Sequence, residues 1–343
     1  MAEERKVLIH IDDVKMHFPI KKKSIFNRKE VTVKAVDGIS IDIYEGETLG
    51  LVGESGCGKS TLGRVILQLY KQTAGKVIYD GKDLSTLSTE EMRKLRQELQ
   101  IVFQDPYSSL NPAFTIFGSL EDPLIKFGVS SKQERIEKIG KLLEDVNLPR
   151  EYMSRYPNEF SGGQRQRIGI AGSLSVDPEL IICDEPVSAL DVSIQAQILN
   201  LMDDLQEQLG LTYIFITHDL SVVEYLADRI AVMYLGRVVE LTTSEELFAN
   251  TLHPYTKALL SAIPVADVTK KKKRIPLQGD VPSPANPPSG CTFHPRCPEC
   301  EERCKAEKPV LEEYIIDGVS HFVSCHRVKD MLKARGIEPE VRK

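Results

Sequence analysis

The residues Gly53-Glu54-Ser55-Gly56-Cys57-Gly58-Lys59-Ser60 fit the pattern G-x-x-x-x-G-K-[ST]. The chemistry these types support at this spacing is the cradling of nucleotide phosphates. Glycines let successive backbone N–H groups turn inward around an anion, and a helix starting in the loop adds the positive end of its dipole. Lys59 would reach the β- and γ-phosphates, and the Ser60 hydroxyl would bind Mg²⁺. A second constellation follows in Leu180-Ile181-Ile182-Cys183-Asp184-Glu185, an apolar strand that ends in two carboxylates. A strand of this kind delivers Asp184 to the sheet edge where phosphate and Mg²⁺ sit, and Glu185, one residue on, is placed to polarise an attacking water. Two carboxylates after an apolar run are weak evidence alone. Downstream of a phosphate loop they become strong evidence.

The elements around the loop suit it. Thr48-Leu49-Gly50-Leu51-Val52 reads as a buried strand, and Leu62, Val65, Ile66 and Leu69 fall at i, i+3, i+4 and i+7 of a helix. Alternating apolar positions predict strands over residues 7–18 and 31–44, separated by a basic loop with Lys21, Lys22, Lys23 and Lys29. Val77-Ile78-Tyr79 before Asp80-Gly81 predicts a hairpin, as do Ile230–Leu235, Gly236-Arg237 and Val238–Leu241. Leu84–Gln100 is charged and helix-like, and Ile101–Phe103 is a short strand. The stretch from Asp105 to Phe160 is Pro-interrupted and then helical through Gln133–Val146, as an inserted helical lobe would be. Ile194, Ile198, Leu201, Met202, Leu205 and Leu209 mark one face of a long helix with Asp191 or Ser193 as its N-cap, and Tyr213–Ile216 is a further core strand. Strands alternating with helices predict an α/β fold with a largely parallel sheet.

Composition bounds the function. The chain has 343 residues, 41% of them hydrophobic, enough for a large core, and its net charge of −6 gives no reason to expect nucleic-acid binding. The start lacks the apolar segment of a signal peptide, and no apolar run approaches the ~20 residues of a membrane helix. Seven cysteines in a chain expected in the cytosol argue against structural disulfides. Past about residue 265, Lys270–Arg274 and five prolines predict a linker or loop-rich module, with the basic run either solvated or set against anionic lipid.

Further motifs fall in a fixed order. Ser161-Gly162-Gly163-Gln164 precedes the Asp184 strand, Gln104 follows the Ile101–Phe103 strand, Ser188-Ala189-Leu190-Asp191 follows Glu185, and His218 follows the Tyr213–Ile216 strand. The set resembles the ATP-binding cassette proteins: signature motif, Q-loop, D-loop and switch histidine. The phrases Gln104–Pro112, Pro186–Ser193 and His253–Leu260 look like the oligopeptide/dipeptide/nickel importer branch, and Val14–Pro19 resembles its F-type ATPase subunit. Ala171-Gly172-Ser173-Leu174 departs from the family's usual Ala-Arg-Ala-Leu, which bears on helix packing and not on catalysis.

The resemblance implies an ATPase cassette over residues 1–265, with a P-loop core, an antiparallel β subdomain and a helical lobe at about 105–172. A small Cys-containing module would occupy 266–343. It implies that Phe18 stacks on adenine, that Gly53–Thr61 (with Glu54, Ser55, Gly56, Cys57, Gly58, Lys59 and Ser60) holds the phosphates, and that Ser60, Gln104 and Asp184 meet Mg²⁺. Glu185 would act on water and His218 on the γ-phosphate. Ser161–Gln164, with Gly162 and Gly163, would contact ATP held by an opposing subunit, with Asp191 in the D-loop between them. Tyr107–Phe117 would receive a permease helix, although Phe114 and Phe117 suit a lobe core equally. The implied partners are a homologous ATPase subunit, two transmembrane permease subunits and an extracytoplasmic binding protein, at the cytoplasmic face of the membrane. Cys291, Cys297, Cys304 and Cys325 resemble the family's [4Fe–4S] pattern. Four thiolates suit Zn²⁺ as well, with Cys300 able to replace a neighbour and His294 or His326 as substitutes if the metal is zinc; the third reading is no metal, with the cysteines packed or free. Other readings are a nickel importer of the same build, a soluble cassette acting on ribosomes or DNA, and a scaffolding module.

Overall fold

The computed structural model describes residues 5–20, 31–105, 107, 110–263, 274–338 and 340–342. The basic segment with Lys21, Lys22, Lys23 and Lys29, and Lys270–Lys273 of the second basic run, lie outside the described residues. The chain divides into two compact units.

The first unit comprises Met1–Lys6, Tyr44–Thr48 and Thr86–Ile216. Its strands Leu99–Val102, Leu180–Asp184 and Thr212–Thr217 run parallel, with Leu99 opposite Leu180 and Leu180 opposite Thr212. The two strands Leu180–Asp184 and Thr212–Thr217 are buried along their whole length, as a strand covered on both faces must be. Helices Ile116–Lys126, Lys132–Asp145, Gly162–Leu174 and Val192–Leu209 supply the rest. Ser131 caps the second of these by accepting from Glu134 N–H, so the predicted helix starts within a residue of Gln133. Of the long helix's expected apolar face, Ile198, Leu201, Met202 and Leu205 are buried, whereas Leu209, its last residue, is exposed. Gly172 leaves its helix unbroken, and a Cβ there would meet only Leu120 at 3.5 Å.

The second unit comprises Val7–Ile43, Leu49–Ser85 and Thr217–Lys343. One sheet has the order Val31–Tyr44, Val7–Ile20, Ala74–Tyr79, Lys82–Asp83. Its last two strands form the Asp80-Gly81 hairpin, both turn residues at positive φ. The strand Thr48–Val52 lies parallel to Arg229–Tyr234, which turns through Leu235-Gly236 into the antiparallel strand Arg237–Thr243. The sheet then continues where the sequence promised only loops. Val319–Val323 pairs antiparallel with Arg237–Thr243, Glu312–Ile316 with Val319–Val323, and Glu340–Arg342 with Glu312–Ile316. The sheet is therefore mixed, parallel where Thr48–Val52 meets Arg229–Tyr234 and antiparallel from Arg237–Thr243 onward. Leu252, Tyr314, Ile316, Val323, Val328 and Leu332 form a buried cluster beneath these strands. At roughly 1.5–3 kcal/mol per buried side chain, such a cluster opposes the ordering cost of the C-terminal segment. The apolar face read at Leu62, Val65, Ile66 and Leu69 loses its last member, because the helix Lys59–Ile66 ends first and Leu69 is exposed.

Candidate active site

In the second unit the strand Thr48–Val52 feeds the phosphate loop and the helix Lys59–Ile66 leaves it, with Gly58 as N-cap at φ 106°. A Cβ on Gly58 would lie 2.0 Å from the Ala35 carbonyl oxygen, and one on Gly53 2.3 Å from that of Met233. Backbone approaches this close exclude any side chain at either position. Lys59 is buried, and its Nζ donates to the carbonyls of Gly53 at 2.7 Å and Glu54 at 3.3 Å. The loop thus holds its own cation. Burial pushes the Cys57 thiol up, against the charge of Lys59, so this cysteine packs as a neutral group. Ser60 and Thr61 are half-buried in the first helical turn. Phe18 is half-buried and meets Tyr70 edge-on at 5.5 Å, a neighbour the sequence did not point to. His218 is exposed just before Asp219, which caps Leu220–Leu226.

In the first unit Asp184 ends its strand, buried, and Glu185 follows at φ 50°. The Glu185 N–H donates to the Ile216 carbonyl at 2.9 Å, and the Ser188 hydroxyl donates to the Glu185 carbonyl at 3.1 Å. A non-glycine residue at positive φ is held only where its surroundings over-determine it. Gln104, beyond the strand Leu99–Val102, donates from Nε2 to Glu185 Oε2 at 3.0 Å and to Ser188 Oγ at 3.3 Å. Two residues 81 apart in sequence are therefore brought together.

Ser161 caps the helix Gly162–Leu174. Its side chain accepts from Gln164 N–H while the Gln164 side chain accepts from Ser161 N–H. The motif is a capping box, and it leaves Ser161 and Gly162 exposed. Asp191 caps the helix Val192–Leu209, accepting from Ile194 N–H at 3.0 Å and from the Ser193 hydroxyl at 2.8 Å. These bonds, the backbone one foremost, hold its carboxyl below the ordinary range. Of the two caps the sequence offered, Asp191 is the one used.

Tyr107 and Phe114 are about half exposed, so Phe114 is not lobe core, while Phe117 is half-buried. The Arg165 guanidinium lies 5.1 Å from the Tyr107 ring centre. Pro106, Ser108 and Ser109 lie outside the described residues.

Cys291, Cys297, Cys304 and Cys325 line one cavity together with His253, His294 and His326, and Cys300 does not. All five thiols are free of disulfides. Burial pushes Cys297 up to about 12 and Cys325 up to about 11. Among the described residues no group of three or more His, Cys, Asp or Glu side chains is drawn close enough to hold a metal ion. The four thiols share a cavity without forming a ligand set.

Comparison with known proteins decides the family. The model of the ABC transporter family matches residues 36–188, and that of the oligopeptide/dipeptide transporter C-terminal region matches residues 239–304. An oligopeptide transport ATP-binding protein, AppF of Bacillus subtilis, is 53% identical over 95% of this chain and 98% of its own. The chain belongs to the ABC transporter family. A second relative, the oligopeptide transport ATP-binding protein OppF of Salmonella typhimurium, is 52% identical over 96% of this ABC chain and 98% of its own. Among solved structures, cbiO1 of Clostridium perfringens, part of an ABC transporter complex, matches with a TM-score of 0.62 at 26% identity, covering 71% of this chain and 92% of that one. The ATP-binding cassette MJ0796, in a dimeric post-hydrolysis state bound to ADP and phosphate, matches with a TM-score of 0.61 at 30% identity, over 69% and 98%. This ABC chain is therefore an α/β ATPase cassette, and no helix among its described residues is long and apolar enough to cross a membrane.

Proposed function

We propose that this chain is the ATP-hydrolysing motor subunit of an importer that takes up oligopeptides or dipeptides. The observation that carries the reading is the 53% identity, over 95% of the chain, to an oligopeptide transport ATP-binding protein. The match to the oligopeptide/dipeptide transporter C-terminal region supports it independently of the cassette.

Roles follow residue by residue. Phe18 stacks on adenine, and Gly53–Thr61 binds the phosphates. Ser60, Gln104 and Asp184 serve Mg²⁺, Glu185 polarises the attacking water, and His218 holds the γ-phosphate. Ser161–Gln164 and Asp191 face a second, homologous cassette. Closure of the pair around ATP adds contacts that hydrolysis removes, and this cycle drives two permease subunits at the cytoplasmic face of the membrane, supplied by an extracytoplasmic binding protein. The exposed Tyr107 and Phe114 support a permease contact on the lobe. Residues 1–265 form the cassette, with its helical lobe at about 105–172, and residues 266–343 the appended module.

Cys291, Cys297, Cys304 and Cys325 would hold a [4Fe–4S] cluster or, with the same donors, Zn²⁺. They line one cavity, in which they would have to draw closer together to ligate such a group, and Cys300, outside it, is the least suited of the five. A bound group there would cross-link the C-terminal segment. Iron analysis with absorbance near about 400 nm on anaerobically purified protein decides between cluster and zinc.

The transport reading is tested in vesicles containing the assembled complex. Peptide, presented with the binding protein, should stimulate ATP turnover. Stimulation by a nickel chelate and not by peptide would move the chain to the nickel branch.

A further inference from the structure

Glu54, the second residue of the phosphate loop, is held by Arg296 and Tyr255, 242 and 201 positions away in sequence. Its carboxylate receives Arg296 Nη1 at 2.6 Å and Nη2 at 3.1 Å, a two-point pair. Its backbone N–H donates to Tyr255 Oη at 3.0 Å, and its carbonyl accepts from Lys59 Nζ at 3.3 Å. Arg296 ends the short turn His294–Arg296, which lies between Cys291 and Cys297. Its side chain is 6% exposed against 27% for Glu54. Around it stand Tyr234, Tyr255 and Phe293, with ring centres 4.8 to 5.3 Å apart. The Arg296 guanidinium lies 6.0 Å from the Tyr234 ring centre. A two-point guanidinium–carboxylate pair fixes orientation as well as charge.

The pair sits on the loop that must accept a polyphosphate. A carboxylate at that place repels the ligand unless it is neutralised. We infer that Arg296 is a positioning residue for the nucleotide site, through which the C-terminal cysteine-bearing segment braces the phosphate loop and cancels the charge of Glu54. This rests on the reading of Gly53–Ser60 as an ATP site. The His253–Leu260 phrase and the stretch around Cys291–Cys297 then serve the same loop, because Tyr255 holds the Glu54 backbone and Arg296 holds its side chain.

The test is Mg²⁺–ATP binding to the full-length chain by calorimetry, with KM and kcat of the assembled transporter alongside. Arg296→Ala should weaken ATP binding and raise KM by about tenfold, a loss of about 1.4 kcal/mol, with kcat changed less than KM. Arg296→Lys, which keeps the charge but not the fork, should fall between the two. The double variant Glu54→Gln with Arg296→Ala should recover most of the affinity, because no carboxylate is left to neutralise. Rescue by a neutral partner is not what a purely structural loss would show. Unchanged affinity in Arg296→Ala, or equal weakness in the double variant, overturns the inference. If Arg296→Ala does not fold, Arg296→Lys carries the test: wild-type affinity in that variant overturns the inference. If wild type itself fails to bind ATP, the site reading falls instead.

Discussion

Gln104 Nε2 and Glu185 Oε2 lie 3.0 Å apart, so the carboxylate that ends one strand segment is oriented by the amide that follows its neighbour. Glu185 cannot swing freely, because its backbone stands at φ 50° and is bonded to Ile216 and Ser188. A carboxylate oriented in this way suits water activation better than substrate binding. Glu185→Gln should therefore cut ATP turnover of the assembled transporter by about 100-fold or more while leaving ATP affinity within a few-fold. Single-turnover hydrolysis alongside equilibrium binding checks both halves.

The phosphate loop makes a prediction about stability. Gly58 stands at φ 106°, with the Ala35 carbonyl oxygen 2.0 Å from where a Cβ would lie. Gly56 stands at φ 80° with nothing within 4 Å of that position. Gly58→Ala combines strain with collision and should cost about 2–4 kcal/mol and abolish ATP binding, whereas Gly56→Ala should cost about 1 kcal/mol. Urea unfolding midpoints of the two variants against wild type measure the difference.

The parts of the site that could be read from sequence are those carried by local spacing. Lys59, Ser60, Asp184, Glu185, Ser161 and Gln164 belong to motifs whose backbone geometry is set within a few residues. The hairpins at Asp80-Gly81 and Leu235-Gly236 were legible for the same reason. The pairing of Val323 with Glu240 was not, nor was that of Arg296 with Glu54, 242 residues apart. Nothing in the spacing of either partner announces the other. The prolines and charges around residues 276–312 masked the strands that follow, although Asp317-Gly318, both at positive φ, was a hairpin signal of the kind recognised elsewhere. The four cysteines were singled out by type. Their common cavity is a product of the fold, because Cys325 enters it from beyond the strand Val319–Val323.

Gly163 packs closely against the helix that Asp191 caps. A Cβ on it would stand 2.5 Å from Ile194 Cγ2, in the first turn of the helix capped by Asp191. Gly163→Ala should therefore displace one motif against the other. ATP binding to the isolated chain should hold within about two-fold, while turnover of the assembled transporter should fall by about tenfold or more. Adding Ile194→Val, which removes bulk at the contact, should restore part of the lost turnover. Loss of ATP binding in the single variant would place the fault elsewhere.

Acid sensitivity should be centred on Glu240. Its carboxylate is fully buried, accepts from Leu252 N–H at 2.7 Å and His253 N–H at 3.2 Å, and lies 2.8 Å from His321 Nε2, with Glu246 on the far side of that ring at 3.5 Å. An ionised carboxylate only accepts, so His321 Nε2 carries the proton of that bond. Burial pushes the carboxyl up, but the bond and charge of His321 and the Leu252 N–H outweigh it and bring Glu240 below its ordinary 4.5. A carboxyl depressed by folding stabilises the protein above the unfolded value, and that contribution is lost as pH falls through the folded value. Glu240→Gln should lower stability at pH 7 by about 3–5 kcal/mol, the cost of breaking a buried pair. The gap between variant and wild type should then close as pH drops below about 4.5. Urea midpoints across the acid range test the sign: a gap that stays constant would mean that Glu240 is already protonated in the native protein at neutral pH.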